Sequence, residues 1–309
     1  MKASAIVKSF GFQSEEEPIS IYPFSPVYRI QGAENDWIIK KTQHPCQKAQ
    51  RFVAYTKNLE QQGIDVVVPV EMSAPNPATI GEATYVVYPF IEGHPYSGKD
   101  AEILEAGRLL GKIHSFSPAE NEFGLDPYDV FDFNEEEVTD SVKRIANHAS
   151  THHVKLPKEL EKRLFQAVIQ QVELKGAGLV HVATPHDFKA NNLVYTPRPH
   201  LIDPDNAGWV PRIFDLALVL LLFHNELPSA PDKPFTDSQW QLFLTGYNEF
   251  VTLTAKEKLL WPKALEHVFL DEVMWLMADV EEDWHNPAQR RLFQQLAELL
   301  VDAKGYALT

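Results

Sequence analysis

The sequence predicts an α+β protein in which a small N-terminal sheet lobe precedes a larger, mainly helical C-terminal lobe. Short β-type runs are concentrated in the first ninety residues, and apolar residues at helical spacing dominate from about residue 100 onward. The pattern changes at residues 88–93, and a chain of 309 residues exceeds the usual size of one hydrophobic core. We therefore expect an N-terminal lobe over residues 1–91 and a C-terminal lobe over residues 92–309.

The N-terminal lobe contains five β-type runs and one amphipathic helix. The runs cover residues 5–12, 27–31, 37–41, 66–70 and 84–90, and turn-forming Pro, Gly and Asn separate them. A helix is predicted over about residues 45–62, because Ala49, Phe52 and Leu59 recur at helical spacing and Gly63 follows. Several strands with one helix indicate a small antiparallel sheet domain.

The C-terminal lobe has the apolar spacing of a helical domain. Asp100 is a candidate N-cap for its first helix. Further helices are predicted over residues 160–176, 238–253, 263–279 and 287–303, with a buried helix face over 216–223. Residues 179–207 are the exception, because β-type pieces alternate there with polar loop residues. The acidic, Phe-rich segment 120–138 is either a substrate loop or a solvated connection, and we favour the solvated connection.

Charge and cysteine content limit the partners of the chain. Lys and Arg number 28 against 43 Asp and Glu, and the net charge of −15 opposes binding to a nucleic acid backbone. The single cysteine, Cys46, cannot form an internal disulfide and suits a reducing compartment. No apolar run has the length of a signal or membrane segment, so we expect a cytoplasmic protein without a membrane partner. The oligomeric state is not predicted.

The candidate chemistry lies in the stretch HVATPHDFKANNLVYTPRPHLIDPDNAGWVPRIFDLALVL, residues 181–220. Asp187 precedes Asn192 by five residues, and Asp203 follows an apolar pair. Polar groups on loops between short strands are typical of an active site. Phosphoryl transfer needs hard oxygen ligands for Mg²⁺ and a carboxylate that orients the attacking hydroxyl. Asn192 and Asp203 supply such ligands, Asp187 supplies the carboxylate, and Lys189 is placed to reach the transferring phosphoryl group.

These motifs, in this order, resemble the aminoglycoside phosphotransferase and choline kinase family, which has a protein-kinase-like two-lobed fold. The family pattern is an Asp, an Asn five residues later, an Ile-Asp pair and an aromatic-Asp-Leu-Ala run. The matching positions here are Asp187, Asn192, Ile202-Asp203 and Phe214-Asp215-Leu216-Ala217. The resemblance implies that Asp187 is the catalytic base, that Asn192 and Asp203 bind magnesium, and that Asp215 braces the catalytic loop. Asp205 is a candidate ligand of a second metal ion.

The resemblance extends to the N-terminal lobe. The β-type runs at 27–30 and 37–40 are similar to the paired strands that end in the family's phosphate-binding lysine, which implies Lys40. Lys41 is the alternative, because neighbouring residues of a strand face opposite sides. Residues 88–93 resemble the hinge between the lobes, so Tyr88, Phe90 and Ile91 are expected to contact the nucleotide. Residues 109–114 resemble the end of the helix that follows the hinge.

The sequence departs from the family in three places. No Asp or Glu occurs between residues 42 and 59, where related kinases place a helix glutamate that pairs with the lysine, so Gln47 or Gln50 would replace it. The loop over the phosphates, residues 21–26, contains two prolines in place of glycine, which leaves Ser25 as its candidate ligand. His186 directly precedes Asp187, whereas the family commonly has this histidine one position earlier.

The resemblance implies a phosphotransferase that moves the γ-phosphate of ATP or GTP, with Mg²⁺, to a hydroxyl of a small, amine-bearing molecule. Glu281, Glu282 and Asp283, together with Trp275 and Trp284, form either a pocket for a cationic acceptor or a solvated helix end. The alternatives are a catalytically impaired nucleotide-binding module, as the three departures suggest, or a kinase that acts on protein. The sequence specifies neither the acceptor nor the choice between ATP and GTP.

Overall fold

The computed structural model describes residues 2–13, 16–22, 25–32, 35–228 and 231–309, and it confirms the predicted α+β fold class. The N-terminal elements are α1 (Ala3–Ser9), β1 (Val27–Ile30), β2 (Trp37–Thr42), α2 (Cys46–Gln61), β3 (Ala78–Ile80) and β4 (Ala83–Pro89). The four strands form one antiparallel sheet in the order β1-β2-β4-β3. Strand β2 is therefore paired on both edges, which gives its side chains fixed directions.

The first element is a helix, so the predicted strand at residues 5–12 is wrong. The β-branched composition suggested a strand, but Ala3, Ile6, Val7 and Phe10 recur at helical spacing and are buried together. They pack against the outer face of the sheet, on the side chains of β1, β2 and β4. The helical face supplies the cover that this side of the four-stranded sheet requires.

The run at residues 66–70 does not form a named strand. It is extended, and Val66 makes an isolated parallel bridge to Leu201 in the C-terminal lobe. The N–H of Val67 donates to the Leu201 carbonyl at 2.8 Å, and the Leu201 N–H donates to the Asp65 carbonyl at 3.0 Å. The apolar run therefore joins the two lobes and does not extend the first sheet.

The second lobe consists mainly of helices, with two small sheets between them. Its helices are α3 (Asp100–Ser115), α4 (Glu135–Thr151), α5 (Leu160–Gly176), α6 (Arg212–Leu222), α7 (Asp237–Tyr247), α8 (Ala255–Val268), α9 (Met274–Asp279), α10 (Glu281–His285) and α11 (Pro287–Val301). Its strands are β5 (His94–Pro95), β6 (Asp126–Pro127), β7 (His181–Thr184), β8 (Leu193–Tyr195), β9 (Pro199–Leu201) and β10 (Gly208–Pro211), in the orders β6-β10-β7 and β5-β8-β9.

Several predicted boundaries in this lobe need correction. Helix α7 ends at Tyr247, six residues before the predicted end, and α8 begins at Ala255. The predicted helix over 263–279 is divided by a π-helical turn, Phe269–Val273. Asp100 is the first residue of α3 and not its cap, because the cap position is Lys99, whose N–H donates to the Glu102 carboxylate at 3.4 Å. None of the helices in the described ranges combines the length and the apolar character that crossing a bilayer requires.

Helix α6 lies at the centre of the lobe. Its residues from Ile213 to Leu222 are all buried, which confirms the predicted buried face over 216–223. A helix that is apolar on every side must be surrounded by other elements. The one carboxylate on this buried helix, Asp215, lies below the loop that carries Asp187.

Helices α3 and α7 approach each other closely, and glycines on both helices make this contact possible. A Cβ atom on Gly107 would lie 2.1 Å from the Phe243 carbonyl oxygen, and one on Gly246 would lie 2.2 Å from the Leu104 oxygen. Both distances are shorter than any van der Waals contact, so a side chain would force the two backbones apart. The close approach also brings the Tyr247 hydroxyl to 2.9 Å from Nδ1 of His114.

Replacing Gly107 by alanine is expected to lower the free energy of unfolding by about 1–3 kcal/mol, because the added methyl group overpacks this contact. Urea denaturation followed by far-UV circular dichroism measures the change. Gly176→Ala is the matched control, since that helical glycine has no neighbouring atom within 4 Å of the added Cβ. Equal stabilities of Gly107→Ala and the unmodified protein would contradict the packing argument.

Candidate active site

Two cavities meet at the loop that contains Asp187 and Asn192. The interlobe cavity, about 290 Å³, lies between the two lobes and is lined by Ile21, Tyr22, Val27, Ile38, Lys40, Val67, residues 88–91, Asn191, Asn192, Val194, Ile202 and Asp203. The acidic cavity, about 500 Å³, lies on the other side of the loop. Its lining includes Tyr128, His186, Asp187, Lys189, Asp205, Glu226, Asp271, Glu272 and Trp275.

Asp187 and Asn192 are joined directly. The chain turns after β7, and the 3₁₀ turn Ala190–Asn192 carries Asn192 back toward Asp187. The Asn192 Nδ2 donates to the backbone oxygen of Asp187 at 2.8 Å and to its Oδ2 at 3.2 Å. Since the amide nitrogen is engaged with Asp187, the Asn192 side-chain oxygen is the atom that can face the interlobe cavity. The five-residue spacing therefore places the amide and the carboxylate on opposite sides of one loop.

Lys189 lies beside the Asp187 carboxylate. Its Nζ is 3.3 Å from Asp187 Oδ2 and donates to Glu226 Oε2 at 2.8 Å. Burial disfavours the ammonium, but Asp187 and Glu226 outweigh burial and raise the pKa of Lys189 above its ordinary value. Lys189 is therefore a fixed positive charge at the junction of the two cavities.

Lys40 points into the interlobe cavity, which decides between the two candidate lysines. Its ammonium pairs with the Asp203 carboxylate and lies 3.1 Å from Asp205 Oδ2. Burial alone would lower the pKa of Lys40, yet the two carboxylates raise it. The Tyr88 hydroxyl donates to Asp205 Oδ1 at 3.3 Å and helps to hold this carboxylate. Asp203 and Asp205 thus supply the negative charge beside Lys40, where residues 42–59 offer no Asp or Glu.

The predicted amide partners of Lys40 have other contacts or none in the described structure. Gln50 Nε2 lies 4.0 Å from the Cys46 sulfur. Gln47 makes no described contact with Lys40. The sequence-based replacement of the helix glutamate by an amide is therefore wrong, because the lysine reaches the carboxylates of the other lobe.

The oxygen ligands predicted for Mg²⁺ fit that ion by their chemistry. Asn192 and Asp203 both line the interlobe cavity, and Asp205 shares the Lys40 ammonium with Asp203. Within the described ranges, no group of three or more His, Cys, Asp or Glu side chains is arranged to hold a metal ion. Mg²⁺ commonly takes only one or two protein carboxylates and completes its shell with water and substrate phosphates. Two carboxylates and an amide oxygen are such a set.

The predicted hinge residues line the interlobe cavity, but the backbone N–H of Phe90 already has a hydrogen-bond partner. Tyr88, Phe90 and Ile91 all face this cavity. The Phe90 N–H donates to the Asp36 carbonyl at 2.9 Å, and the Arg29 guanidinium lies 3.8 Å from the centre of the Phe90 ring. A nucleotide base would therefore meet other backbone groups of the hinge than the Phe90 N–H.

Two residues of the predicted phosphate loop line the interlobe cavity, but Ser25 is not one of them. The Ser25 hydroxyl donates to the Lys41 carbonyl at 3.4 Å, and Ser25 does not line the interlobe cavity. Ile21 and Tyr22 of the same loop do line it. Pro23 and Phe24 lie outside the described residues. The Ser25 side chain thus bonds to the neighbouring strand, and its contact with the nucleotide phosphates stays a prediction.

Asp215 connects the elements below the loop that carries Asp187. The carboxylate is fully buried; its Oδ2 accepts the Thr184 hydroxyl at 2.8 Å and lies 3.0 Å from Nε2 of His114. Burial favours the neutral acid, but the neighbouring His114 and His186 side chains hold the pKa of Asp215 well below its ordinary value. One ionised carboxylate thus ties α6 to β7 and α3, directly before the loop with Asp187.

The far wall of the acidic cavity carries the acids of the π-helical turn. The Tyr128 hydroxyl donates to Asp271 Oδ2 at 2.8 Å, and it lies 2.9 Å from Nε2 of His267. Because the single hydroxyl hydrogen points to Asp271, His267 must donate to the tyrosine oxygen. Burial lowers the pKa of His267 to about 4, so its ring is neutral. Burial also raises the pKa of Glu272 to about 7, and nearby Asp271 adds to this effect.

The residues that line the acidic cavity differ from those that the sequence predicted for an acceptor pocket. Residues 126–130 line the acidic cavity, so the favoured interpretation of segment 120–138 as a solvated connection is wrong there. Of the predicted cationic pocket, Trp275 lines the cavity, but Glu281 and Glu282 do not. Trp284 is buried, and its Nε1 donates to the Met277 carbonyl at 2.8 Å. The Asp-Glu pair at 271–272 lay in a predicted helix, and a π-helical turn has no spacing signal that would have exposed it.

Comparisons with known proteins identify the family and the fold of the chain. The profile of the family described as "Phosphotransferase enzyme family" matches residues 23–249. A microcompartment-associated aminopropanol kinase is 14% identical, with a TM-score of 0.70 over 99% of each chain. A spectinomycin phosphotransferase bound to ADP and spectinomycin is 14% identical, with a TM-score of 0.67 over 98% of this chain and 97% of its own. A choline kinase from Streptococcus pneumoniae is 16% identical, with a TM-score of 0.57 over 96% and 98%.

At this low sequence identity the comparisons establish only a shared fold. That fold is the two-lobed one predicted from the motifs. No curated protein matches the chain by sequence.

Proposed function

Because this chain belongs to the phosphotransferase enzyme family, we propose that it transfers the γ-phosphoryl group of ATP or GTP to a hydroxyl of a small, amine-bearing acceptor. The observation that carries the proposal is the position of one loop between two cavities. Asn192 lines the interlobe cavity, Asp187 lines the acidic cavity, and the two side chains are 3.2 Å apart at their hydrogen bond. A phosphoryl group that passes between the cavities must pass this pair.

The interlobe cavity suits a nucleotide triphosphate. Lys40 provides a positive charge for the phosphates, and the hinge side chains provide an apolar surface for the base. When bound by Asn192 and Asp203, Mg²⁺ would neutralise charge on the phosphoryl oxygens. The spectinomycin phosphotransferase of the same fold was solved with ADP, which supports a nucleotide cosubstrate. In the described structure the Lys40 ammonium pairs with Asp203 and Asp205, so nucleotide binding would redirect it toward the phosphates.

Asp187 and Lys189 serve the transfer itself. The Asp187 carboxylate borders the acidic cavity, where it accepts the hydroxyl hydrogen of the acceptor and orients the oxygen for in-line attack. Lys189, 3.3 Å from that carboxylate, provides charge for the phosphoryl oxygens as they move between the cavities. The Glu226 contact keeps the Lys189 ammonium at the junction until the substrates arrive.

The charge of the acidic cavity favours a cationic acceptor. Seven carboxyl side chains line it, against two lysines and two histidines. Buried carboxylates without a full set of cations are costly, and a ligand ammonium lowers that cost. Trp275 adds an aromatic face that can contact the same cation. A volume of about 500 Å³ suits a small molecule. The name of the aminopropanol kinase, which shares the fold, denotes an acceptor of this class.

The test is a panel of acceptors in matched pairs. Each pair contains an amino alcohol and the same alcohol with a methyl group in place of the amine, offered with Mg-ATP or with Mg-GTP. We expect acceptor-dependent release of nucleoside diphosphate and a phosphate ester by mass spectrometry, with kcat/KM at least about tenfold higher for the amino alcohols. Nucleotide binding in a thermal-shift assay, without transfer to any acceptor, would contradict the proposal and favour the impaired nucleotide-binding module.

The KM for an amine acceptor is expected to fall as pH rises through about 7, the pKa of Glu272. Below that pH the carboxyl group is neutral, and above it the anion pairs with the acceptor ammonium. The change should be about tenfold, as one added charge contact of about 1.4 kcal/mol predicts. Initial rates over a range of pH measure it. In Glu272→Gln the KM should stay high and flat, whereas Glu82→Gln, on an exposed turn of the first sheet, should keep the pH dependence.

A further inference from the structure

His186 has an unusual backbone conformation directly before the proposed catalytic base. Its φ angle is 53°, in the left-handed region that only a few per cent of non-glycine residues adopt, with Asn, Asp and His enriched among them. Such a conformation is unfavourable by itself and persists where surrounding contacts hold it. His186 lines the acidic cavity, and the chemistry described above gives its ring no role.

The imidazole of His186 lies between two carboxylates. Its Nδ1 is 3.6 Å from Asp215 Oδ1, and its Nε2 is 3.8 Å from Glu272 Oε1. His186 Nδ1 and Asp215 Oδ1 are both buried atoms without a hydrogen-bond partner. Because they face each other and the other Asp215 oxygen is already occupied by Thr184 and His114, each is the available partner of the other.

The two contacts, at 3.6 and 3.8 Å, are ion-pair distances and favour the charged form of the ring. A neutral imidazole has one N–H, so between two ionised carboxylates its second nitrogen would direct a lone pair at a carboxylate oxygen. Only the imidazolium donates on both sides. Burial opposes the charge, but Asp215 and Glu272 outweigh burial and raise the pKa of His186 above its ordinary value. The titratable groups that surround the ring are Asp215 on α6, Asp271 and Glu272 on the π-helical turn, Tyr128 after β6, and Asp187 and Lys189 on its own loop.

We propose that His186 is a positioning residue that, as an imidazolium, bridges Asp215 below the catalytic loop and Glu272 on the wall of the acidic cavity. Asp187 is the next residue, so the bridge sets the direction of the Asp187 carboxylate relative to a bound acceptor. This consequence rests on the proposed function. An acceptor ammonium would contact the same Glu272 carboxylate, so acceptor binding and the geometry of the catalytic loop are coupled through one side chain.

The charge state of the bridge is measured without any transfer reaction. In protein labelled with ¹⁵N-histidine, the signals that disappear in His186→Gln identify the His186 ring. We expect both ring nitrogens to be protonated at pH 7, and the pKa to fall in Glu272→Gln, because that variant removes one of the two carboxylates. A neutral ring at pH 7, or a titration that Glu272→Gln leaves unchanged, would overturn the proposal.

The positioning role is measured by kinetics. His186→Gln should lower kcat by about 10–100-fold through misplacement of Asp187, and it should lose the decline of kcat at alkaline pH that deprotonation of the ring causes. The thermal shift with Mg-ATP should not change. His153→Gln is the matched control, because His153 has a φ of 57°, is exposed and lines neither cavity.

An unchanged kcat in His186→Gln, or a loss of nucleotide binding together with kcat, would reject positioning. If the unmodified enzyme transfers phosphate to no acceptor, the proposed function fails, and the ring-nitrogen measurement still decides whether the bridge exists.

Discussion

Asp187→Ala is expected to lower kcat by about 10²–10⁴-fold, the usual contribution of a positioned general base. The carboxylate borders the acidic cavity and contacts Lys189 and Asn192, so its loss removes the group that orients the acceptor hydroxyl. Mg-nucleotide binding should persist, because Lys40 and Asp203 lie on the interlobe side of the loop. Steady-state rates with a saturating acceptor, together with nucleotide titration by calorimetry, measure the two effects separately.

Two variants make the result for Asp187 specific. Asp187→Asn keeps the shape and the hydrogen bond from Asn192 but cannot accept a proton, so it should lose nearly as much activity. Asp140→Ala removes an exposed acid of α4 and should leave kcat unchanged. An Asp187→Ala enzyme with undiminished transfer would show that another group receives the hydroxyl proton, and the base assignment would be rejected.

Asp203→Ala is expected to weaken the binding of Mg-nucleotide by at least about tenfold, because a carboxylate that can bind the metal is removed at the cavity wall. The loss should appear as a smaller stabilisation by nucleotide, by about 1.4 kcal/mol for each tenfold change in affinity. Thermal shift or calorimetry with and without Mg²⁺ separates the metal-dependent part. The variant should be less sensitive to Mg²⁺ than the unmodified protein.

The matched control for Asp203 is Asp232→Ala, which breaks a surface ion pair with Arg291 and should leave nucleotide binding intact. Asp205→Asn tests the second carboxylate beside Lys40. If Asp203→Ala kept the full dependence on Mg²⁺, the metal would be held by other groups, and the ligand set of Asn192 and Asp203 would be wrong.

Asp187 and Asn192 lie together because they are close in the sequence. Asp187 and Asn192 are five residues apart, and a 3₁₀ turn is enough to join them. Lys40 could not be separated from Lys41 by spacing, because a strand of unknown register permits both faces. The pairing of β2 with β4, Lys40 opposite Val86, resolved the ambiguity and aimed Lys40 at the other lobe.

Two carboxylates distant in the sequence replace the missing helix glutamate as partners of Lys40. Asp203 and Asp205 reach Lys40 from more than 160 positions away along the chain. Such contacts depend on how the two lobes meet, and that meeting involves the bridge between Val66 and Leu201. The absence of Asp and Glu between residues 42 and 59 therefore does not leave the lysine without a charged partner.

Residue order alone specified the α+β class and the two-lobed arrangement, because apolar spacing reports the local conformation of each segment. It also specified the pairing of Asp187 with Asn192, because the two residues are only five positions apart. Tertiary packing decided the helical state of α1, the direction of Lys40 and the make-up of the acidic cavity. Tyr128, His186 and Glu272 are far apart in the chain, and only the folded lobe brings their side chains to one wall. Spacing reports local conformation, whereas a binding surface depends on contacts between distant segments.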